Sequence, residues 1–194
     1  MSQYEEDVIL MQRFGDKPNG FVVDVGASDG MTGSNTFYLT WDGWGGVLIE
    51  PEKTQFELLQ RLYADRPDVV CLNEAIGIAS KVVPFYVNGP YSTLSFAWQQ
   101  ACIKEYDICY QEVIETVRLR RLGVLLRVAK APKHIDFLSV DCEGWDLEVL
   151  QSMDWEHFDV DLICVEGVDC GKFLHSLGYS LWASTRGNLF YAKD

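Results

Sequence analysis

The stretch from Gly20 to Pro51 limits what this chain can fold into more than any other. It reads as a buried strand, a glycine-broken turn, a short helix and a second buried strand that ends in a carboxylate. Phe21, Val22, Val23 and Val25 form an apolar, β-branched run bounded by glycines, the pattern of a parallel strand covered on both faces. Asp24 interrupts the run near its end, where a charge must be solvated, paired or bound to a ligand. Gly26, Ala27, Ser28, Asp29 and Gly30 follow, and such small residues let a backbone approach a ligand closely. Ser34, Asn35 and Thr36 can cap the helix that opens there. About twenty residues past the turn, Gly46-Val-Leu-Ile-Glu50-Pro51 repeats the logic of apolar strand followed by acid. An ionised carboxylate only accepts hydrogen bonds, so Glu50 suits the two hydroxyls of a ribose. The stretch predicts a nucleotide-cofactor half-site built from Asp24, Gly26, Ala27, Ser28, Asp29, Gly30, Ser34, Asn35, Glu50 and Pro51.

The spacing narrows the cofactor. A dinucleotide fingerprint needs Gly-x-Gly-x-x-Gly to seat a pyrophosphate on a helix N-terminus. Position 28 is Ser, and Asp24 and Asp29 put negative charge where phosphates would lie. Two carboxylates beside the turn favour a cofactor that carries positive charge and no phosphate, as S-adenosylmethionine does. An NAD-dependent oxidoreductase is the disfavoured alternative. A non-catalytic cofactor-binding module that keeps the fold is another, and a βαβ unit whose glycines only permit tight packing is a third.

Four apparent strands end in acids: Asp24 near the first, Glu50 at the second, Asp141 and Glu143 after Ile135–Val140, and Glu166 after Asp161–Val165. Ligands of an open α/β sheet bind outside the carboxyl ends of its strands, so these acids predict one negative cleft. Asp141, Glu143 and Glu166 are the catalytic candidates, with Asp141 or Glu143 as the base. His134, His157 and His175 precede a strand or lie on helices and read as structural.

The remaining pattern is alternating helix and strand. Residues 3–14 predict a helix packed over the cofactor end of the sheet, and Glu52 to Tyr63 a second helix, with Phe56, Leu59 and Tyr63 at helical spacing. Val69–Leu72 predicts a strand that leaves through Asn73, Glu74, Ala75 and Ile76, and Lys81 to Val87 an added strand. Residues 88–112 carry Tyr91, Trp98, Tyr106 and Tyr110, either as an acceptor wall or lid or as core filling of an insertion; Tyr91, Ser92 and Thr93 are the candidate acceptor contacts. Gln111 to Val117 predicts a strand, followed by a helix to about Val128. Tyr179 to Lys193 reads as a hairpin around Thr185-Arg-Gly-Asn188. All 194 residues fit one α/β domain.

Composition excludes several classes. A net charge of −13 argues against nucleic acid, whose binders need Lys and Arg to displace counterions. One basic run, Arg118, Arg120, Arg121, Arg127, Lys130 and Lys133, reads as a solvated helix face or as a patch for an anionic substrate. No apolar run approaches the ~20 residues of a membrane helix, and the N-terminus lacks a secretory pattern, so a cytoplasmic protein with no membrane partner is expected. Six cysteines without a Cys-x-x-Cys pair read as reduced thiols rather than a zinc site.

Asp24-Val-Gly-Ala-Ser-Asp-Gly30, Ser34-Asn-Thr36 and Gly43-Trp-Gly-Gly-Val-Leu-Ile-Glu-Pro51 resemble the first signature of the FkbM-type S-adenosylmethionine-dependent methyltransferases. Ile135-Asp-Phe-Leu-Ser-Val-Asp-Cys-Glu-Gly144 with Leu147-Glu-Val-Leu150 resembles the second. Ser28 stands where that family usually has Asn. The resemblance implies a Rossmann-like class I methyltransferase fold, a mostly parallel sheet flanked by helices and closed by a C-terminal antiparallel pair. It implies that Glu74, Ala75 and Ile76 lie beside the adenine, and that Asp141 also faces the cofactor. A sugar or glycan hydroxyl is the implied acceptor, with a polyketide-type alcohol second. As in some related O-methyltransferases, Asp141 and Glu166 can share a divalent cation, Mg or Mn.

Overall fold

The computed structural model describes residues 5–15, 17–106, 114–166 and 170–193. Its strands are β1 (Phe21–Val25), β2 (Gly45–Ile49), β3 (Val69–Leu72), β4 (Ala75–Ile76), β5 (Val82–Tyr86), β6 (Ile114–Arg120), β7 (His134–Val140), β8 (Asp159–Val165), β9 (Tyr179–Ser184) and β10 (Leu189–Lys193). Its α-helices are α1 (Glu6–Phe14), α2 (Phe37–Trp41), α3 (Lys53–Leu62), α4 (Phe96–Tyr106), α5 (Leu122–Val128), α6 (Asp146–Ser152) and α7 (Gly171–Ser176).

Seven strands form the main sheet in the order β3-β2-β1-β7-β8-β10-β9. The first five are parallel, and β10 runs antiparallel to both β8 and β9. The sheet is therefore the predicted parallel one closed by an antiparallel hairpin. Strand order reverses beside β1, where β2 continues one way and β7 the other, which opens a crevice at the carboxyl ends.

Period-two side-chain alternation sends each strand's apolar residues to both faces, so both need cover. Val22, Leu48, Phe137 and Leu162 pack under α1, α2 and α3 through Leu10, Leu39 and Leu59. Val23, Val47, Leu138 and Ile163 pack under α5, α6 and α7 through Leu126, Leu150 and Leu174. Each fully buried aliphatic side chain contributes roughly 1.5–3 kcal/mol. Trp44 seals the first layer: its indole N–H donates to the Lys17 carbonyl at 3.1 Å, and a side chain on Gly20 would collide with its ring. Helix α1 runs along the sheet, with Glu6 bonded to Thr185 and Asn188 at one end and Arg13 paired with Asp161 at the other.

A second sheet, β4-β6-β5, stands apart from the first. Here the structure departs from the sequence reading. Ala75 and Ile76 do not simply leave β3; they pair in parallel with Leu119 and Arg120. The predicted strand at residues 111–117 is β6, reaching Arg120, and its first residues, 111–113, lie outside the described residues. Tyr110, Cys109, Gly167 and the side chain of Tyr106 lie outside them as well. The basic run is no helix face. Arg118 and Arg120 sit on β6, and Arg127 on α5 pairs with Asp154. Pro84 is tolerated because β5 is an edge strand, where a missing N–H donor leaves no ladder bond unmade.

Candidate active site

The crevice beside β1 is a solvent-open cleft with about 490 Å3 of empty space, open solvent included. Gly26, Glu50, Pro51, Glu74, Asp141 and Glu143 lie on its lining, with Ile76, Phe85, Trp145 and Val149 as its apolar wall. Among the described residues, no Lys, Arg or His lines it.

The floor is the turn after β1. Gly26 has φ +89°, and a β-carbon there would lie 1.8 Å from the Asp141 carbonyl oxygen, so the turn requires glycine twice over. The N–H groups of Gly26 and Ala27 donate to the Ile49 carbonyl at 3.0 and 3.1 Å, which ties the turn to the end of β2. Glu50 then reaches back. Its Oε2 accepts the Ser28 N–H at 2.8 Å and its Oε1 the Glu52 N–H at 2.7 Å. Burial pushes its carboxyl up to about 7 against those two donors. Each oxygen retains lone-pair capacity for a further donor.

Other residues of the predicted half-site support this floor. Asp24 is off the cleft lining; its carboxylate accepts the Thr36 hydroxyl at 2.6 Å, and burial raises it to about 7. Asp29 closes its own turn by accepting the N–H groups of Met31 and Thr32 and the Thr32 hydroxyl. Ser34 caps α2 through the N–H groups of Thr36 and Phe37, and the Asn35 amide donates to the Ser139 hydroxyl at 3.4 Å. Gly30 packs against Leu59 and Tyr63, Ala27 is buried in the same layer, and Ala75 is buried on β4. The charge that the sequence placed around the turn is thus directed into the fold at Asp24, onto an exposed local turn at Asp29, and into the cleft at Glu50.

The opposite wall follows β7 and β8. Asp141, Glu143 and Glu166 each bring a carboxylate oxygen within 4.8 Å of the other two. Burial raises all three carboxyls, and crowding by neighbouring acids adds to it. Asp141 and Glu166 are hydrogen-bonded to each other, an arrangement in which one of the two keeps a proton. Glu143 is raised to about 7, with the Trp98 indole N–H opposing the rise from 2.6 Å away. The backbone supports the bend: Glu143 has φ +51° and Gly144 φ +79°. Glu6, completely buried at the start of α1, adds its charge against Asp141, a contribution that the sequence reading missed.

The acceptor candidates separate. Ser92 lines the cleft beside Gly89 and Pro90, Tyr91 stands about half exposed off it, and Thr93 is buried beneath, donating to the Glu143 carbonyl at 2.8 Å. None of the three histidines lines the cleft; His134 lies between Asp136 and Asp159 at the other end of the sheet. The five described cysteines are free thiols. No described helix is long and apolar enough to cross a membrane.

This donor set fits S-adenosylmethionine. The cleft offers carboxylates for hydroxyls and for positive charge, an apolar wall for a base, a glycine floor, and a lining without Lys, Arg or His among the described residues. Arg120 pairs with the lining Glu74 at 3.7 Å from off the lining.

Comparison with known proteins agrees. The family model described as the methyltransferase FkbM domain matches residues 24–176. The methyltransferase FkbM of Methylobacillus flagellatus KT superposes with a TM-score of 0.56 at 16% identity, covering 89% of this chain and 43% of that one. Precorrin 8w decarboxylase of Methanobacterium thermoautotrophicum superposes at 0.52 with 14% identity, covering 100% of this chain and 92% of that one. The ribosomal protein L11 methylase of Lactobacillus delbrueckii subsp. bulgaricus gives 0.50 at 9% identity, covering 97% and 78%. At these identities the likenesses establish the class I methyltransferase fold, and the chain spans less than half the length of the Methylobacillus protein. No curated protein matches the chain.

Proposed function

The chain belongs to the FkbM methyltransferase family, and from that premise we propose that it methylates a hydroxyl of a sugar or glycan-type acceptor. The observation that carries the proposal is a cleft whose carboxylates converge from three strand ends with no cation on its lining. Glu50, Gly26 and Asp141 would hold S-adenosylmethionine, with Glu74 and Ile76 at the base. Bound there, the cofactor supplies an electrophilic methyl group. The protein's own part is to align the acceptor oxygen and to take its proton. Alignment can supply roughly 7–11 kcal/mol, and a positioned base about 10²–10⁴-fold. Glu143 is the favoured base, because a carboxyl near 7 is partly ionised at neutral pH. The Asp141–Glu166 pair would orient the acceptor hydroxyl.

The missing cation on the lining favours a neutral polyol over a phosphorylated or carboxylated acceptor, and nucleic acid is disfavoured further by the net charge. The apolar wall of Ile76, Phe85 and Val149 also suits a polyketide-type alcohol. A cytoplasmic location is consistent with free thiols. The spacing of Asp141, Glu143 and Glu166 favours a second version in which magnesium or manganese joins the acids.

One assay addresses all of this: S-adenosylhomocysteine release with a panel of sugars, glycans and polyketide alcohols, with and without EDTA. Release with a sugar hydroxyl is expected. Release with polyketide alcohols alone would replace the acceptor class. Loss of release in EDTA, restored by magnesium, would establish the metal version. A protein that does not bind S-adenosylhomocysteine at all would overturn the proposal.

A further inference from the structure

The inserted segment after β5, described over residues 87–106, touches the cleft in an unusual way. Gly89, Pro90, Ser92 and Leu94 line the same cleft as Glu50 and Asp141, yet helix α4 behind them is mostly solvent-facing, with Cys102 its one fully buried described side chain. Such a segment needs specific anchors to stay in place. Three converge on one turn. The Trp98 indole N–H donates to Glu143 Oε2 at 2.6 Å. The Thr93 hydroxyl donates to the Glu143 carbonyl at 2.8 Å and itself accepts the Ser95 N–H at 2.9 Å. The Trp98 side chain covers Gly144 so closely that a β-carbon there would lie 3.0 to 3.2 Å from it.

Both ends of the anchor are oriented by their own elements. Ser95 Oγ accepts the Trp98 N–H at 3.2 Å at the start of α4, and Thr93 exchanges backbone bonds with Tyr86 on β5 at 2.9 and 3.0 Å. Thr93 is 1% exposed, far from the solvent-facing residue that a loop position suggests. The described hydrogen bond at the Glu143 side chain falls on Oε2. An indole is a donor only, so the bond engages one carboxylate oxygen and leaves the acceptor capacity of the other.

We propose that Trp98 and Thr93 are positioning residues that latch the inserted segment over the cofactor cleft through Glu143, leaving Oε1 of that acid to receive the acceptor's proton. The latch and the base are then parts of one carboxylate. Release of the segment would free the cofactor product and misplace the base in the same motion, while seating it would assemble both. The proposal rests on the methyltransferase reading, because it takes the cleft as the cofactor's and Glu143 as the base.

Two measurements test it on the whole chain. In ¹H–¹⁵N spectra the Trp98 indole signal, identified by its loss in Trp98→Phe, is expected to move upfield in Glu143→Gln, where the acceptor is no longer charged, and to stay in place in Glu50→Gln. Stopped-flow release of S-adenosylhomocysteine is expected to be about ten-fold faster in Trp98→Phe, the scale of one bond to a charged group. Thr93→Val is expected to accelerate release in the same direction. The double variant Trp98→Phe/Glu143→Gln is expected to release it no faster than the faster single variant, because both remove one interaction. An indole signal indifferent to Glu143, release from Trp98→Phe at the unmodified rate, or multiplicative single effects would each overturn the latch. Failure of the unmodified protein to bind S-adenosylhomocysteine would overturn the methyltransferase reading instead, while the indole signal would still report the bond.

Discussion

The two ends of the main sheet carry similar numbers of acids and treat them in opposite ways. At the amino ends of β7 and β8, Asp136 takes Lys17 and the Phe21 N–H, Asp161 takes Arg13, and Asp159 takes Lys193 at 2.5 Å with His134 beside it. At the carboxyl ends, Glu50, Asp141, Glu143 and Glu166 face one another, backbone donors or the Trp98 indole, with no cation among the described lining residues and Arg120 reaching only Glu74. The titration behaviour follows: the Lys193 ammonium holds Asp159 below the usual carboxylate range, while burial lifts the cleft acids above it. Paired acids are a way to build a fold; crowded, unpaired ones cost stability and persist where a ligand or a reaction uses them. The contrast therefore favours the carboxyl ends as the place for the proposed chemistry, without reference to any relative.

The largest expected effect lies in the crowded cluster. Asp141→Asn keeps shape and removes charge, and turnover is expected to fall about 10²–10⁴-fold with any acceptor found, while S-adenosylhomocysteine affinity measured by calorimetry falls far less. Near-normal turnover would remove Asp141 from the mechanism and erase the difference between the ends.

Stability against pH comes next. Asp24 and Glu50 titrate near 7 in the fold but near 4 when unfolded, so the folded chain holds more protons between those values. The contribution of these two groups is then greatest toward pH 4 to 5, falls as pH rises to 7 and levels off above it, while Glu166, raised to about 10 by burial and its acid neighbours, continues the fall. Shifts of that size correspond to about 3–4 kcal/mol per group. From pH 5 to 8 the two groups together lose about 5 kcal/mol, and the melting temperature is expected to drop by roughly 10–20 °C. Asp159, with its lowered value, works in the opposite direction and only toward acid. A melting temperature that rises from pH 5 to 8 would show that the cleft acids are stabilised after all. Smaller again, Glu50→Ala is expected to weaken S-adenosylhomocysteine binding by about 2–3 kcal/mol, and unchanged affinity would take Glu50 out of the site.

How much of this was legible in the sequence depends on range. The strand, glycine turn, helix and acid from Gly20 to Glu50 could be read because each contact is local or follows a known crossover, and Gly26, Glu50, Asp141 and Glu143 all reach the cleft. Direction could not be read. Asp24 and Asp29 are acids at the turn, yet Thr36 and the Met31–Thr32 backbone take them. The pairing of Ala75–Ile76 with β6 rests on two residues, too few to show any period. Glu6 looks like a surface acid in its helix, and only the hairpin partners Thr185 and Asn188, nearly the whole chain away, make it a buried one. The bond from Trp98 to Glu143 is of the same kind.

The smallest effects belong to the paired end, and they divide by burial. Lys17 is 42% exposed, but Asp136 is 7% exposed in its side chain, so Lys17→Met leaves a buried carboxylate with the Phe21 N–H and His134 as its remaining partners. Stranding a buried charge costs more than the pair contributed; with water at one side, about 2 kcal/mol of stability is expected to be lost. Lys193 and Asp159 are 46% and 63% exposed, so Lys193→Met removes a pair that solvent already screens, plus a contact 5.1 Å over the Tyr179 ring. Its methionine keeps most of the buried stem, and the loss is expected to stay under about 1 kcal/mol. Urea unfolding of both variants beside the unmodified chain separates the two values. S-adenosylhomocysteine affinity should be unchanged in each, since neither lysine lines the cleft. If Lys193→Met destabilised the fold as much as Lys17→Met, burial would not be what grades this end. If either variant weakened the ligand, the two ends would be coupled through β7 and β8, and the division between a structural and a chemical end would fail.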